Sequence, residues 1–450
     1  MIPYIPHSQA EISAMLDRIG AASVDDLFVD IPEELRFSRP IDLPGSMAES
    51  DVMNLLAAMA NENRTKTLFA GGGQYDHVIP SVVSHLTGRA EFVTAYTPYQ
   101  PEISQGILQA LFEFQSAIAE ITGLPVSNAS LYDGATAAAE ACAMVLNAKR
   151  KSRIVLTAGT LHPHTKSVLG TYFADLDVEL VELPETSGRV ELSTLTSALE
   201  SAGEELAGVL VQTPNIYGAL EDLTGWSDAV HAANGRFIVS AHPLSLGALA
   251  SPAEWGADIA VGDTQPLGLP PYFGGPSAGY IACGKDLMRR MPGRIVGESV
   301  DADGKSAFVL THQAREQHIK RERATSNICS NQSLAAIANV VYLSALGPTG
   351  FAQVSEQNIS AAAELRRRLI DEIGLTDYVP GPVFNEFTLR ISADRKKWDD
   401  TFADCGIVPG VWLSDLDESI PADLFSVAVT EKRTATELDA YIACAREALS

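Results

Sequence analysis

The stretch ADIAVGDTQPLGLPPYFGGPSAGYIACG, residues 257–284, decides the fold. Two short apolar runs, IAV and YIAC, flank a loop punctuated by Gly and Pro. Each run is too short for a helix and is bounded by turn residues, so the stretch reads as strand, loop, strand. No lysine occurs in the loop.

Working upstream, the same kind of apolar run recurs between amphipathic segments. Helix GATAAAEACAMVLNAKR (134–150) precedes strand RIVLTAG (153–159), helix HTKSVLGTYFADL (164–176) and strand VELVEL (178–183). Helix LSTLTSALESA (192–202), strand GVLVQTP (208–214), helix WSDAVHAAN (226–234) and strand RFIVSAH (236–242) follow. Alternation of this kind predicts an α/β fold with a mostly parallel sheet covered by helices on both faces.

Around this centre the character changes. Ser8-x-x-Glu11 and Ser46-x-x-Glu49 have the form of capping boxes that open two helices, so residues 1–62 read as an N-terminal helical arm. Residues 63–325 form the large α/β domain. Residues 326–450, with the amphipathic helix ISAAAELRRRLIDEIG, strands NEFTLRIS and LFSVAVT and a last helix from Thr434, form a small α+β domain. The segment 311–347, THQAREQHIKRERATSNICSNQSLAAIANVVYLSALG, reads as mostly helical with a basic stretch.

A chain of 450 residues with 46% hydrophobic and 20% charged residues buries a large core. A formal net charge of -25 repels a phosphate backbone and argues against nucleic acid as a partner. The apolar runs are shorter than the ~20 residues of a membrane span, and no secretory segment opens the chain. No membrane association and a cytoplasmic location are expected. The five cysteines (Cys142, Cys283, Cys329, Cys405 and Cys444) form no CxxC pair, which predicts reduced thiols and neither a disulfide framework nor a zinc site. His162 and His164, at i and i+2, are poor metal ligands, and no metal is expected.

Five long stretches carry a resemblance: GGGQYDHVIP (71–80), AYTPYQPEISQGILQALFEFQ (95–115), SLYDGATAAAEA (130–141), GDTQPLGLPPYFGGPSAGY (262–280) and REQHIKRERATSNICSNQ (315–332). In this order they resemble the P-protein of the glycine cleavage system, the pyridoxal-phosphate (PLP) dependent glycine decarboxylase. More narrowly, the chain is similar to subunit 1, the alpha chain of the two-subunit bacterial form. The resemblance implies a fold-type I PLP-dependent transferase scaffold.

Such a scaffold needs a helix N-terminus for the phosphate, an aromatic ring over the pyridine, a carboxylate facing the pyridine nitrogen and a lysine for the Schiff base. Gly134 and Thr136 keep the form of the phosphate cup, which is also the form of a plain helix start. His162 and His164 follow a strand end where the active subunit of the family carries its stacking histidine. The carboxylate position falls near Ala241, where Ser240, Ala241 and His242 offer none. Gln265 stands at the lysine position, and an amide forms no imine. The nearest lysines, Lys166 and Lys285, belong to other elements. The pocket thus reads as vestigial, with no PLP covalently bound to this chain.

What the resemblance then implies is a chain that completes the active site of a lysine-bearing neighbour. PLP would sit on subunit 2 (the beta chain), in an α2β2 assembly that decarboxylates glycine and passes the aminomethyl group to the lipoyl H-protein. Tyr75, Tyr96, Tyr99 and Gln100 are the candidates to reach the partner's site. Gly274 and Gly275 are candidates to present backbone N–H groups to the partner's cofactor phosphate. Interface packing explains the tyrosines equally well, and turn geometry the glycines. The basic residues Arg315, Lys320, Arg321 and Arg323 suit either an acidic carrier or a solvated helix face. Two other readings stay open: a non-catalytic protein of this fold that binds or regulates another partner, and an autonomous PLP enzyme with an unrecognised lysine.

Overall fold

A computed structural model describes residues 6–450 except Ser38, Pro40 and Arg150. The chain divides into two compact units, Met1–Arg64 and Thr65–Ser450. The first unit holds helices Gln9–Ile19 and Glu49–Glu62. Ser8 and Glu11 form the expected capping box. The second does not form: Ala48, not Ser46, is the N-cap of Glu49–Glu62, and no side chain caps it.

The second unit is built on a seven-stranded sheet. In chain order its strands are β1 (Val126–Ser127), β2 (Ile154–Ala158), β3 (Glu179–Leu183), β4 (Leu206–Thr213), β5 (Arg236–Ala241), β6 (Ile259–Asp263) and β7 (Gly279–Cys283). The spatial order is β1-β7-β6-β5-β4-β2-β3. Strands β2 to β6 run parallel, while β7 pairs antiparallel with both β6 and the edge strand β1. Every residue of β2 and β7 is buried. Burial on both faces is why these strands read as continuous apolar runs in the sequence. The edge strand β3 is exposed in part.

A four-stranded antiparallel sheet lies nearer the C-terminus, in the order Thr376–Asp377, Glu386–Arg390, Leu424–Ala428, Val411–Trp412. Helices Arg395–Asp404 and Ala435–Leu449 cover it, with Trp398, Phe402, Phe425 and Tyr441 in the shared core. Each buried ring of this kind contributes on the order of 2 kcal/mol or more from area alone. Phe69 joins that core, and Thr67–Leu68 pairs with Ile407–Val408. The chain therefore runs along the terminal sheet just before it enters the loop 71–77.

Three sequence expectations change. Cys405 and Cys444, 39 residues apart, form a disulfide between the end of one covering helix and the last helix, so not all thiols are free. Residues 313–323 contain only one helical turn, Gln317–Lys320, between two 3-10 turns, and regular helix begins at Ser333. An antiparallel hairpin, Ile295–Val300 with Ser306–Thr311, went unread because its strands mix polar and apolar residues without strict alternation. The helix Ser333–Asp371 is long and apolar enough to cross a membrane by composition. Gly347, at φ 60°, and Pro348 break it, and it packs on Ser81–Thr87 and Gln105–Thr122.

Candidate functional site

A cavity of about 560 Å³ opens at the carboxyl ends of the parallel strands, where open α/β sheets place their ligands. Gln212 near the end of β4 and Pro214 just after it, Ala241 ending β5 and His242 just after it, and Asp263 ending β6 all line it. Gly134, His162 and His164 line it from helix starts, Gly274 and Gly275 from the loop after β6, and Gly72 to Tyr75 from the glycine-rich loop. Among the described residues, those lining the cavity include no lysine or arginine.

The helix Gly134–Ala148 points its N-terminus at this cavity, but two of its first three N–H groups are already taken. The Gly134 N–H donates to Asp263 Oδ2 at 3.0 Å, and the Thr136 N–H donates to Asp133 Oδ1 at 2.7 Å. A Cβ at position 134 would meet the Asp263 nitrogen at 2.8 Å. Glycine is required there by the approach of the helix to β6. Two carboxylates thus occupy the cup, and their charge opposes an entering phosphate.

Asp263 was missed in the sequence reading, which sought a carboxylate near Ala241. It also accepts from the Gln265 N–H at 2.8 Å and from the Ser277 hydroxyl. Burial raises its pKa, and the hydrogen bonds from Ser277, Gln265 and Gly134 oppose that rise. The only sequence signal was a polar residue ending a buried strand. Its oxygens are engaged with this chain's own donors.

Gln265 is buried, 1% exposed, and its side-chain amide is fully used. Oε1 accepts from the Tyr75 N–H at 2.9 Å, while Nε2 donates to the Tyr75 carbonyl at 2.9 Å and to the Leu269 carbonyl at 2.7 Å. The amide acts as a backbone substitute that staples the glycine-rich loop in place. Lys166 does not line the cavity: its Nζ donates to the Gly159 carbonyl at 2.7 Å and pairs with Glu182 at 3.0 Å. Lys285 is exposed.

His162 is fixed as a neutral ring. Its Nδ1 accepts from the His164 N–H at 3.1 Å, which leaves the proton on Nε2 to donate to the Gly72 carbonyl at 2.9 Å. Burial lowers its pKa, with a further push from His164. The two rings stand 4.9 Å apart. His242 is held neutral by burial, and neither ring nitrogen has a hydrogen-bond partner. Among the described residues no group of three or more His, Cys, Asp or Glu is placed to hold a metal ion.

The glycine-rich loop is organised by acids of the terminal sheet. Buried Glu386 accepts from the Gly72 N–H at 2.8 Å, from the Tyr75 hydroxyl at 2.8 Å and from the Ser426 hydroxyl at 2.7 Å. Tyr75 is therefore buried, with its polar tip spent inside this chain. Asp76 pairs with Lys432 and Arg433, and His77 with Glu431. None of these clamps was visible in the sequence, because the partners lie more than 300 residues apart.

Gly274 has φ +95° with nothing near a would-be Cβ, so its glycine answers to turn geometry. The Gly275 N–H closes that turn on the Tyr272 carbonyl at 2.9 Å. Tyr96, Tyr99 and Gln100 lie away from the cavity lining and face outward. Tyr96 is 82% exposed and Tyr99 57%. The Tyr99 hydroxyl accepts from Arg294 Nη2 at 3.0 Å, and the Arg294 guanidinium lies 5.1 Å from its ring centre.

Pyridoxal phosphate thus does not fit this cavity as its residues stand: the amine is absent, the cup is closed by Asp133 and Asp263, and the Asp263 oxygens are committed.

The sequence model of the family described as glycine cleavage system P-protein matches residues 3–444. A probable glycine dehydrogenase (decarboxylating) subunit 1 from Listeria monocytogenes serotype 4a (strain HCC23) is 45% identical over 443 residues, 98% of each chain. The protein of the same name from Moorella thermoacetica is 46% identical over 447 residues, 99% of this chain and all of that one. Among solved structures, glycine decarboxylase (P-protein) of the glycine cleavage system, in inhibitor-bound form, superposes with a TM-score of 0.86. It is 43% identical, and the match covers 99% of this chain and 100% of that one. A glutamate decarboxylase from Lactobacillus brevis, 12% identical, shares the fold with a TM-score of 0.69 over 92% of this chain and 95% of that one.

Proposed function

The chain belongs to the glycine cleavage system P-protein family, and from that premise we propose that it is the lysine-free subunit of a two-subunit glycine decarboxylase. The observation that carries this reading is Gln265. At the position where the family resemblance puts the Schiff-base lysine, a buried amide is consumed by Tyr75 and Leu269. Such a residue serves structure, and the chemistry is left to another chain. PLP would be carried by subunit 2, which supplies the electron sink for the bond to the departing CO2. Glycine would be the substrate and the lipoyl H-protein the acceptor, within a cytoplasmic α2β2 assembly.

This chain's own contribution is support and enclosure. The loop 71–77 is clamped by Gln265, Glu386, Glu431, Lys432 and Arg433, and rigid supporting shells are what position a neighbour's reacting groups. Tyr96, Tyr99 and Gln100, exposed on this chain, are the residues available to reach a partner. Gly274 and Gly275 keep their turn, and a role at the partner's phosphate would rest on the Gly274 N–H, since that of Gly275 is used.

The test is reconstitution. Each subunit is purified separately, and release of labelled CO2 from carboxyl-labelled glycine is measured alone and after mixing. The expected result is turnover only in the mixture, with borohydride-reducible PLP confined to subunit 2. Reducible PLP on this chain, or decarboxylation by it alone, would overturn the reading.

A further inference from the structure

Arg294 joins three segments that lie far apart in sequence. Its guanidinium donates from Nη2 to the Tyr99 hydroxyl at 3.0 Å and to the Cys329 carbonyl at 2.8 Å, and from Nη1 to Asn331 Oδ1 at 3.0 Å. All three acceptors are neutral, so among the described residues geometry, and not a counter-ion, holds this buried charge. A planar fork of donors reaches acceptors on several sides at once, and the point charge of a lysine does not reproduce it.

Two of the joined segments belong to the cavity wall. Asn331 Nδ2 donates to the Ala129 carbonyl at 2.7 Å and to Ser130 Oγ at 3.1 Å, and the Gln332 N–H donates to the same Oγ at 3.1 Å. The Ala129 N–H in turn donates to the Arg294 carbonyl at 2.8 Å. Tyr132, Asp133, Gly134 and Gln332, which follow these residues in the chain, line the cavity. The third segment is the outward loop 95–100. Among its described residues Tyr99 is the one whose side chain makes a hydrogen bond, and the partner is Arg294. Pro98 beside it is buried, whereas Tyr96 and Gln100 are exposed. The Tyr99 ring is exposed while its hydroxyl is tied inward, with the guanidinium 5.1 Å from the ring centre. A tyrosine fixed in this way offers an aromatic surface whose rotamer freedom is already lost before a partner arrives.

We propose that Arg294 is a positioning residue for glycine decarboxylation: it pins Tyr99 to the cavity wall and so fixes the aromatic surface that this chain offers to the partner's site. The site that Tyr99 reaches rests on the function proposed above; the tie itself stands on this chain's own hydrogen bonds. Arg294 is buried and acts through Tyr99, not by touching substrate.

The test uses full-length Y99F, R294K and the double variant, alone and with purified subunit 2. Y99F keeps the ring and removes only the acceptor at the exposed end, so it stays informative if R294K folds poorly. In the isolated chain, hydrogen exchange at the Tyr99 amide is expected to quicken in both single variants, and at the Gln332 amide in R294K alone. Unchanged exchange at Tyr99 in both would overturn the pinning. In the reconstituted enzyme, kcat for labelled CO2 release per assembled complex is expected to fall roughly tenfold in Y99F, with a smaller shift in KM for glycine, because a displaced ring loses orientation more than binding. The double variant is expected to lose no more than the worse single variant, since both changes break one contact. Losses that multiply in the double variant would show that Arg294 acts by another route, and a normal kcat per complex in Y99F would show packing alone; either overturns the proposal while leaving the two-subunit reading intact. A wild-type chain that fails to activate subunit 2 would overturn that reading and, with it, the role at the partner's site.

Discussion

Gln265 and Tyr75 hold each other by a closed pair of hydrogen bonds: the Tyr75 N–H donates to Oε1 and Nε2 donates back to the Tyr75 carbonyl, both at 2.9 Å. The arrangement copies a pair of backbone amides, so a side chain splices a distant loop onto the end of β6. A lysine cannot replace it, having three donors and no acceptor.

Gln265→Lys is therefore expected to lose stability without gaining a cofactor. The Tyr75 N–H would be left unmatched and an ammonium would enter a buried site, at a cost of about 2 to 4 kcal/mol. Urea unfolding measures the loss, and borohydride reduction with peptide mapping looks for pyridoxyl-lysine at position 265. Stable folding with efficient PLP capture would show that the cup is open after all.

The loop 71–77 should depend on Glu386. Glu386→Ala strands three donors, on Gly72, Tyr75 and Ser426. A loss of roughly 3 kcal/mol or more is expected, as for other broken buried networks. Hydrogen exchange at the Gly72 amide should speed up well beyond the global effect. Unchanged protection of that amide would mean the loop is held by other contacts.

Glu140 supplies a pH dependence. Burial pushes its pKa up from 4.5 to about 7, against hydrogen bonds with Ser326 and Tyr172. Between these two values the folded chain holds a proton that the unfolded chain releases, so stability falls as pH rises from about 4.5 to about 7 and levels off above. The contribution is on the order of 3 kcal/mol. Glu140→Gln removes this term, and its unfolding free energy relative to wild type should rise over that pH window and stay constant beyond it. Parallel stability curves for the two proteins would exclude the effect.

What the sequence made legible follows from short-range physics. Strands β2, β4, β5 and β6 show as apolar runs because they are buried on both faces, and the missing lysine shows because the family resemblance marks its position in a loop that is continuous in sequence. What stayed hidden depends on long-range contacts. Asp263 closes a cup 129 residues away, Glu386 holds a loop more than 300 residues away, and the Cys405–Cys444 bond has no local spacing signal. Tyr75 read as a partner-facing residue because tyrosines in loops often are, whereas its hydroxyl is held by Glu386, a residue that the strand NEFTLRIS gave no reason to place there.

Tyr96 is the cleaner test of a partner-facing role. It is 82% exposed, and its hydroxyl makes no hydrogen bond within the described residues, while Tyr99 also supports buried Arg294. Tyr96→Ala should leave the isolated chain within about 0.5 kcal/mol of wild type, as for surface substitutions generally. If its ring lines the partner's site, decarboxylation per assembled complex should fall about tenfold or more, about 1.4 kcal/mol of transition-state stabilisation. If the ring only packs in the interface, assembly weakens and activity per complex stays normal. Light scattering for assembly, alongside labelled CO2 release, separates the two, and an assembled mutant of full activity would remove Tyr96 from the site. Tyr99→Phe gives the contrast: it deletes the bond from Arg294 Nη2 and should cost the isolated chain roughly 1 to 3 kcal/mol.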